Sequence, residues 1–157
     1  MYEVRPWLFI GKYSETLYHD LLERKKIRAV LELAAPVEYD DITTLYLPVD
    51  DGVALRPGAL PNGVAFVRSE YAQGNRVLVA CGAGISRAVT FAIAALKEEE
   101  NLSLVDAFHE IAKVHPEGMP HPELWRSLCE YYGEEMSFLD MWREIRTRIE
   151  EDEEDIS

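Results

Sequence analysis

Arg76-Val77-Leu78-Val79-Ala80-Cys81-Gly82-Ala83-Gly84-Ile85-Ser86-Arg87 is the stretch that decides the fold. Its first half is apolar almost without a break, as expected of a strand buried on both faces in a parallel sheet. Two glycines follow in a tight loop, and Ala88–Glu100 then reads as helix. A strand, a glycine loop and a helix make a unit in which successive backbone N–H groups converge on an anion at a helix N-terminus. Cys81 stands at the end of the strand, where the same positive field favours the thiolate form. Arg87 follows six positions later, so its guanidinium can fold back over the loop and grip two phosphate oxygens at once. Nucleophile, amide cradle and cation are expected to face one site.

Working outward, Val4–Gly11 reads as a strand closing on a turn, and Ser14 as the cap of a helix within Glu15–Lys26. Ile27–Leu33 and Thr43–Val49 read as strands, the second ending at the turn signal Asp50-Asp51-Gly52. Pro57–Gln73 has helical spacing and stops at Gly74. Helices are expected at Ser103–Val114, His121–Tyr132 and Ser137–Glu150, two of them opened by the capping patterns Ser103…Asp106 and Ser137…Asp140. The result is an α/β fold, a central mostly parallel sheet flanked by helices with a helical C-terminal half. One domain is expected over residues 1–149, with 136–149 an extra C-terminal helix and 150–157 an acidic, disordered tail. The stripe Phe138, Met141, Trp142, Ile145 and Ile149 reads as a helix packed on the domain. Its alternative is a homodimer or partner surface through 138–149.

The 157 residues are 48% hydrophobic and 29% charged, which suits one compact core. The longest apolar stretches, Val77–Ile85 and Ala88–Leu96, fall short of the ~20 residues of a membrane span, and Met1–Arg5 lacks the layout of a signal peptide. A cytoplasmic protein is the expectation. The net charge is −13, and leaving aside the six acids of Glu150–Asp155 it is still −7. Such a body repels nucleic acid and anionic membranes, so neither is expected as a partner. Of the two cysteines, Cys81 reads as reactive and Cys129, beside Leu128 in a helix, as part of the core. His19, His109, His115 and His121 are scattered without metal-ligand spacing and read as surface or capping residues. No metal or cofactor is called for.

The C-x5-R arrangement of Cys81–Arg87 resembles the signature of the cysteine-dependent protein tyrosine phosphatases, and looks most like the compact dual-specificity branch. Leu47-Pro48-Val49-Asp50-Asp51 resembles that family's strand and general-acid loop, with Asp51 preceding Cys81 by 30 positions. Ala107-Phe108…Val114-His115-Pro116…Pro120…Leu124…Leu128 is similar to the helix, proline turn and helix that close the family's core. The resemblance covers about Tyr2 to Tyr132.

What the resemblance implies is a phosphoprotein phosphatase without cofactor. Cys81 would take the phosphoryl group as phosphocysteine, and Asp51 would protonate the leaving oxygen and then activate water, with Asp50 competing for that role. Arg87 and the amides of Gly82, Ala83, Gly84, Ile85, Ser86 and Arg87 would hold the phosphate. The substrates would be phosphorylated protein or small aryl and alkyl phosphates: phosphotyrosine, and, given little sequence for a pocket-deepening loop, phosphoserine and phosphothreonine. The rival enzymes are phosphatases of inositol phosphates, phosphoinositides or RNA 5′ ends, for which residues 82–86 supply no extra cation. Two departures stand out. The family usually has His where this chain has Ala80, and Ser or Thr where it has Ala88. Both imply weakened turnover, and a phosphate-binding pseudophosphatase is therefore the rival from another class.

Overall fold

The computed structural model describes residues 1–156. Its centre is a five-stranded sheet of β1 (Tyr2–Arg5), β2 (Leu8–Lys12), β3 (Ile27–Glu32), β4 (Thr43–Tyr46) and β5 (Arg76–Cys81), ordered β1-β2-β5-β3-β4. β2, β5, β3 and β4 run parallel, and only β1 is antiparallel, so the mostly parallel sheet expected from the apolar runs is what forms. The opening segment 4–11 is two strands rather than one. Pro6 cannot donate a ladder bond, and the chain turns at Pro6-Trp7 to lay β1 back on β2.

The helices are α1 (Tyr13–Thr16), α2 (His19–Arg24), α3 (Ala59–Ala72), α4 (Arg87–Glu100), α5 (Leu104–Val114), α6 (Pro122–Tyr132) and α7 (Phe138–Ile156). The single helix read across 15–26 is divided in two. Ser14 is not its cap, because Lys12 holds that position and its N–H donates to the Glu15 carboxylate at 2.9 Å. Both Ser-x-x-Asp caps do form: the Asp106 N–H reaches Ser103 Oγ at 3.1 Å and the Asp140 N–H reaches Ser137 Oγ at 3.0 Å.

Alternation along β5 sends Val77, Val79 and Cys81 to one face, into a core shared with Phe91 of α4 and Phe108 of α5. Leu78 and Ala80 face a smaller core with Phe9, Leu22 and Val30. β5 is the central strand, so Cys81 emerges at the carboxyl end of the sheet with Lys12 in register beside it on β2. On β3, Glu32 is in register with Ala80. Ligand sites of parallel sheets lie at this end.

The C-terminal end departs from expectation. α7 does not stop near 149 and leave a disordered tail: it continues to Ile156, while Ser157 lies outside the described residues. Met141 and Ile145 are fully packed, and Phe138 and Ile149 lean on the same core, so most of the stripe that could have met a second copy is covered by the chain itself. Beyond it, Arg148 bonds Asp106 and Asp152 bonds His109, each at 2.7 Å, tying the acidic stretch to α5. Among the described residues no helix is long and apolar enough to cross a membrane.

Candidate active site

The loop between β5 and α4 is shaped by its glycines. Gly84 has φ +70°, and a Cβ there would come within 2.9 Å of the Gly11 carbonyl oxygen, so conformation and space both require glycine. A Cβ on Gly82 would stand 3.1 Å from Arg87 Nη2, which places the guanidinium back over the start of the loop as its spacing predicts. Cys81 is buried, and its Sγ accepts the Ala88 N–H at 3.3 Å. The amide at the start of α4 thus points at the sulfur.

The loop carrying Asp51 is brought in by the sheet. Past the end of β4, the Leu47 N–H donates to the Glu32 carbonyl at 2.8 Å and the Val49 N–H to the Leu33 carbonyl at 3.0 Å, extending the pairing toward the site. Arg87 Nη1 donates to the Val49 carbonyl at 2.9 Å, and the Ser86 hydroxyl donates to Asp51 Oδ1 at 2.7 Å. It is Asp51, not Asp50, that makes this bond. The structure therefore brings Cys81, Ser86, Arg87 and Asp51 together, with Gly82, Ala83, Gly84 and Ile85 forming the arc between them.

Sequence reasoning missed several neighbours of that arc. His115, read as surface or capping, does close the end of α5, but it is buried, stacks on Tyr2 with ring centroids 3.8 Å apart, and has Nε2 2.8 Å from the Gly84 carbonyl oxygen. The Met119 N–H donates to the Ile85 carbonyl at 2.9 Å and the His121 N–H to Ser86 Oγ at 2.9 Å, so the turn from α5 to α6 clasps three consecutive loop residues. His121 caps α6 as expected, its Nδ1 accepting the Glu123 N–H at 3.1 Å. Gly118 permits the turn, since a Cβ there would meet His115 Cδ2 at 2.8 Å and Val89 Cγ2 at 3.0 Å.

Glu32 was missed altogether. Among the described residues neither of its carboxylate oxygens has a hydrogen-bond partner, and burial pushes the carboxyl up to about 7. Thr16 opposes this, although its hydroxyl proton goes to the Tyr13 carbonyl at 2.6 Å. The signal was a carboxylate inside an apolar strand. Cys129 fits its core reading: it is half-buried, Sγ lies 3.6 Å from the Met136 carbonyl, and burial pushes the thiol up. His19 is held by Asp41 at 2.8 Å and His109 by Asp152.

Comparison with known proteins agrees with this geometry. The family described as "Dual specificity phosphatase, catalytic domain" matches residues 8–134. The chain is 28% identical over 130 residues to the dual specificity protein phosphatase Mpk3 of Drosophila melanogaster, covering 79% of this chain and 32% of that protein. It is 30% identical over 133 residues to dual specificity protein phosphatase 18 of Mus musculus, covering 82% of this chain and 71% of that one. It thus spans about a third of the first relative's length and about seven tenths of the second's. Among solved structures, human tyrosine phosphatase-like serine/threonine/tyrosine-interacting protein superposes with a TM-score of 0.78 at 25% identity, covering 85% of this chain and 95% of that one. The match runs from β2 through the clasping turn to the end of α6, and the chain belongs to the family of dual specificity phosphatase catalytic domains.

Proposed function

We propose that this chain hydrolyses phosphorylated proteins, phosphotyrosine first and phosphoserine and phosphothreonine as well, through a phosphocysteine on Cys81. The observation that carries the reading is the Ala88 N–H directed at Cys81 Sγ, with Arg87 folded over the same loop. Attack of the thiolate on phosphorus forms an S–P bond as the P–O bond to the substrate breaks, and Asp51 gives its proton to the departing oxygen. Water then attacks phosphorus and loses its proton to the Asp51 carboxylate. The S–P bond breaks, the thiolate returns, and inorganic phosphate leaves.

Throughout, the loop amides of Gly82 to Arg87 and the free N–H groups of Arg87 hold the equatorial oxygens. Among the described residues only Nη1 is engaged elsewhere, so most of the guanidinium's five donors are available. The Ser86 hydroxyl, donating to Asp51 Oδ1, holds that side chain over the loop for both halves. The Ala88 amide supplies one donor to the departing sulfur where the family usually adds a hydroxyl. A thiol nucleophile in a chain whose two cysteines are both free suits a reducing compartment, which supports a cytoplasmic location.

The second reading, a domain that binds phosphate without turning over, is favoured by Ala80 and Ala88. Purified protein assayed on an aryl phosphate decides between them. Turnover abolished by Cys81→Ser supports the enzyme, whereas tungstate binding with no turnover in the wild type supports the binding domain.

A further inference from the structure

Resting on the reading of residues 81–87 as an oxyanion cradle, we propose that His115 is a positioning residue that aims the anion-binding amides of the cradle. A carbonyl oxygen only accepts, so the 2.8 Å contact from the Gly84 carbonyl requires the proton on Nε2. In the neutral ring Nδ1 is then the bare nitrogen, and it is buried without a partner among the described residues. A planar trans peptide holds its C=O and its N–H on opposite sides. Drawing the Gly84 carbonyl outward to His115 therefore turns the Ile85 N–H of the same peptide unit inward.

The Met119 N–H does the same one unit later, binding the Ile85 carbonyl at 2.9 Å and so turning the Ser86 N–H inward. Each outward bond also polarises its peptide unit and strengthens the N–H on the other side. The ring itself is held, since Tyr2 stacks on it at an interplanar angle of 14° and Gly118 lies against its edge. At Gly84, with φ +70°, the backbone has freedom that a bond from outside must restrict. His115 thus acts on phosphate through the Gly84–Ile85 peptide and never touches it.

The experiment uses the whole chain and inorganic tungstate as probe, with aryl phosphate turnover and melting temperature measured alongside. His115→Phe keeps a flat ring against Tyr2 but has no N–H, and His115→Gln restores a donor near the position of Nε2. The expected result is tungstate affinity at least about tenfold weaker for the Phe variant, part of the roughly hundredfold that loss of a whole oxyanion donor costs. kcat/KM should fall in parallel, and the Gln variant should recover most of both. Tungstate binding by His115→Phe within about twofold of wild type, or equal loss in the Phe and Gln variants at equal melting temperature, overturns the proposal.

If the Phe variant does not fold, nitrogen NMR of the wild-type histidines replaces it. A protonated Nε2 and bare Nδ1 on His115, with tungstate shifting the Ile85 and Ser86 amides, supports the assignment, and the opposite tautomer overturns it. Wild type that fails to bind tungstate overturns the cradle and the clamp together. Wild type that binds it in the expected pattern without turning over leaves the clamp standing and removes the enzymatic reading.

Discussion

Replacing Glu32 by glutamine should stabilise this protein at alkaline pH and leave it nearly unchanged in acid. Glu32 is fully buried at the end of β3, in register with Ala80, and both its oxygens lack partners. Burial raises its carboxyl from 4.5 to about 7. The unfolded chain therefore releases this proton near 4.5 while the folded protein keeps it to about 7, so stability falls as pH rises through that window. At about 1.4 kcal/mol for each tenfold change in proton equilibrium, the loss amounts to about 3 kcal/mol, complete above the folded value. Glutamine keeps the shape and cannot ionise. In a domain of this size 1 kcal/mol moves the melting temperature by about 2–4 °C, so the variant should melt about 6–12 °C above wild type at pH 8. At pH 4 the gap should close. Paired urea titrations or thermal melts at the two pH values measure it. A gain that does not depend on pH, or a variant less stable at pH 8, would refute the reasoning and show that Glu32 has a partner when ionised.

Three further outcomes are expected. Asp51→Asn should lower turnover about 10²–10⁴-fold for poor leaving groups and far less for good ones, while Asp50→Asn has little effect; leaving-group series on the two variants check this. Ala88→Ser should raise the steady rate of aryl phosphate hydrolysis without enlarging the initial burst of phenolate, because the added hydroxyl assists only departure of the sulfur. Rapid mixing reads both phases. Deleting residues 150–157 removes the part-buried bond between Asp152 and His109 and the last turns of α7, so the melting temperature should drop by about 2–4 °C, as loss of about 1 kcal/mol implies.

The centre of the fold was legible because its signals are local. Val77–Ala80 is a continuous apolar run, Gly82 and Gly84 mark the loop, and Arg87 opens α4, so strand, loop and helix follow from neighbouring residues alone. Asp51 was nearly legible as a neighbour of the loop, but that it rather than Asp50 meets Ser86, 35 residues away, is a tertiary fact. The clasp was not legible. His115 reaches Gly84 across 31 positions, and nothing around Val114-His115-Pro116 tells a buried ring from a capping one.

Glu32 carried a signal that was passed over, since a carboxylate within Ala29–Leu33 must be buried wherever that strand is. At the other end, like charges in 150–155 suggested a solvated tail. Glutamate favours helix, however, and pairs such as His109 with Asp152 are tertiary facts that hold the helix to Ile156.

The central claim is that phosphate passes through Cys81 sulfur. Rapid acid quenching of the protein during turnover of an aryl phosphate, followed by mass measurement of the peptide spanning 77–87, tests it most directly. The account predicts a phosphate on Cys81 that accumulates within the burst and is absent from the Cys81→Ser protein. Turnover that proceeds with Cys81 unmodified, or that survives in Cys81→Ser, would contradict it.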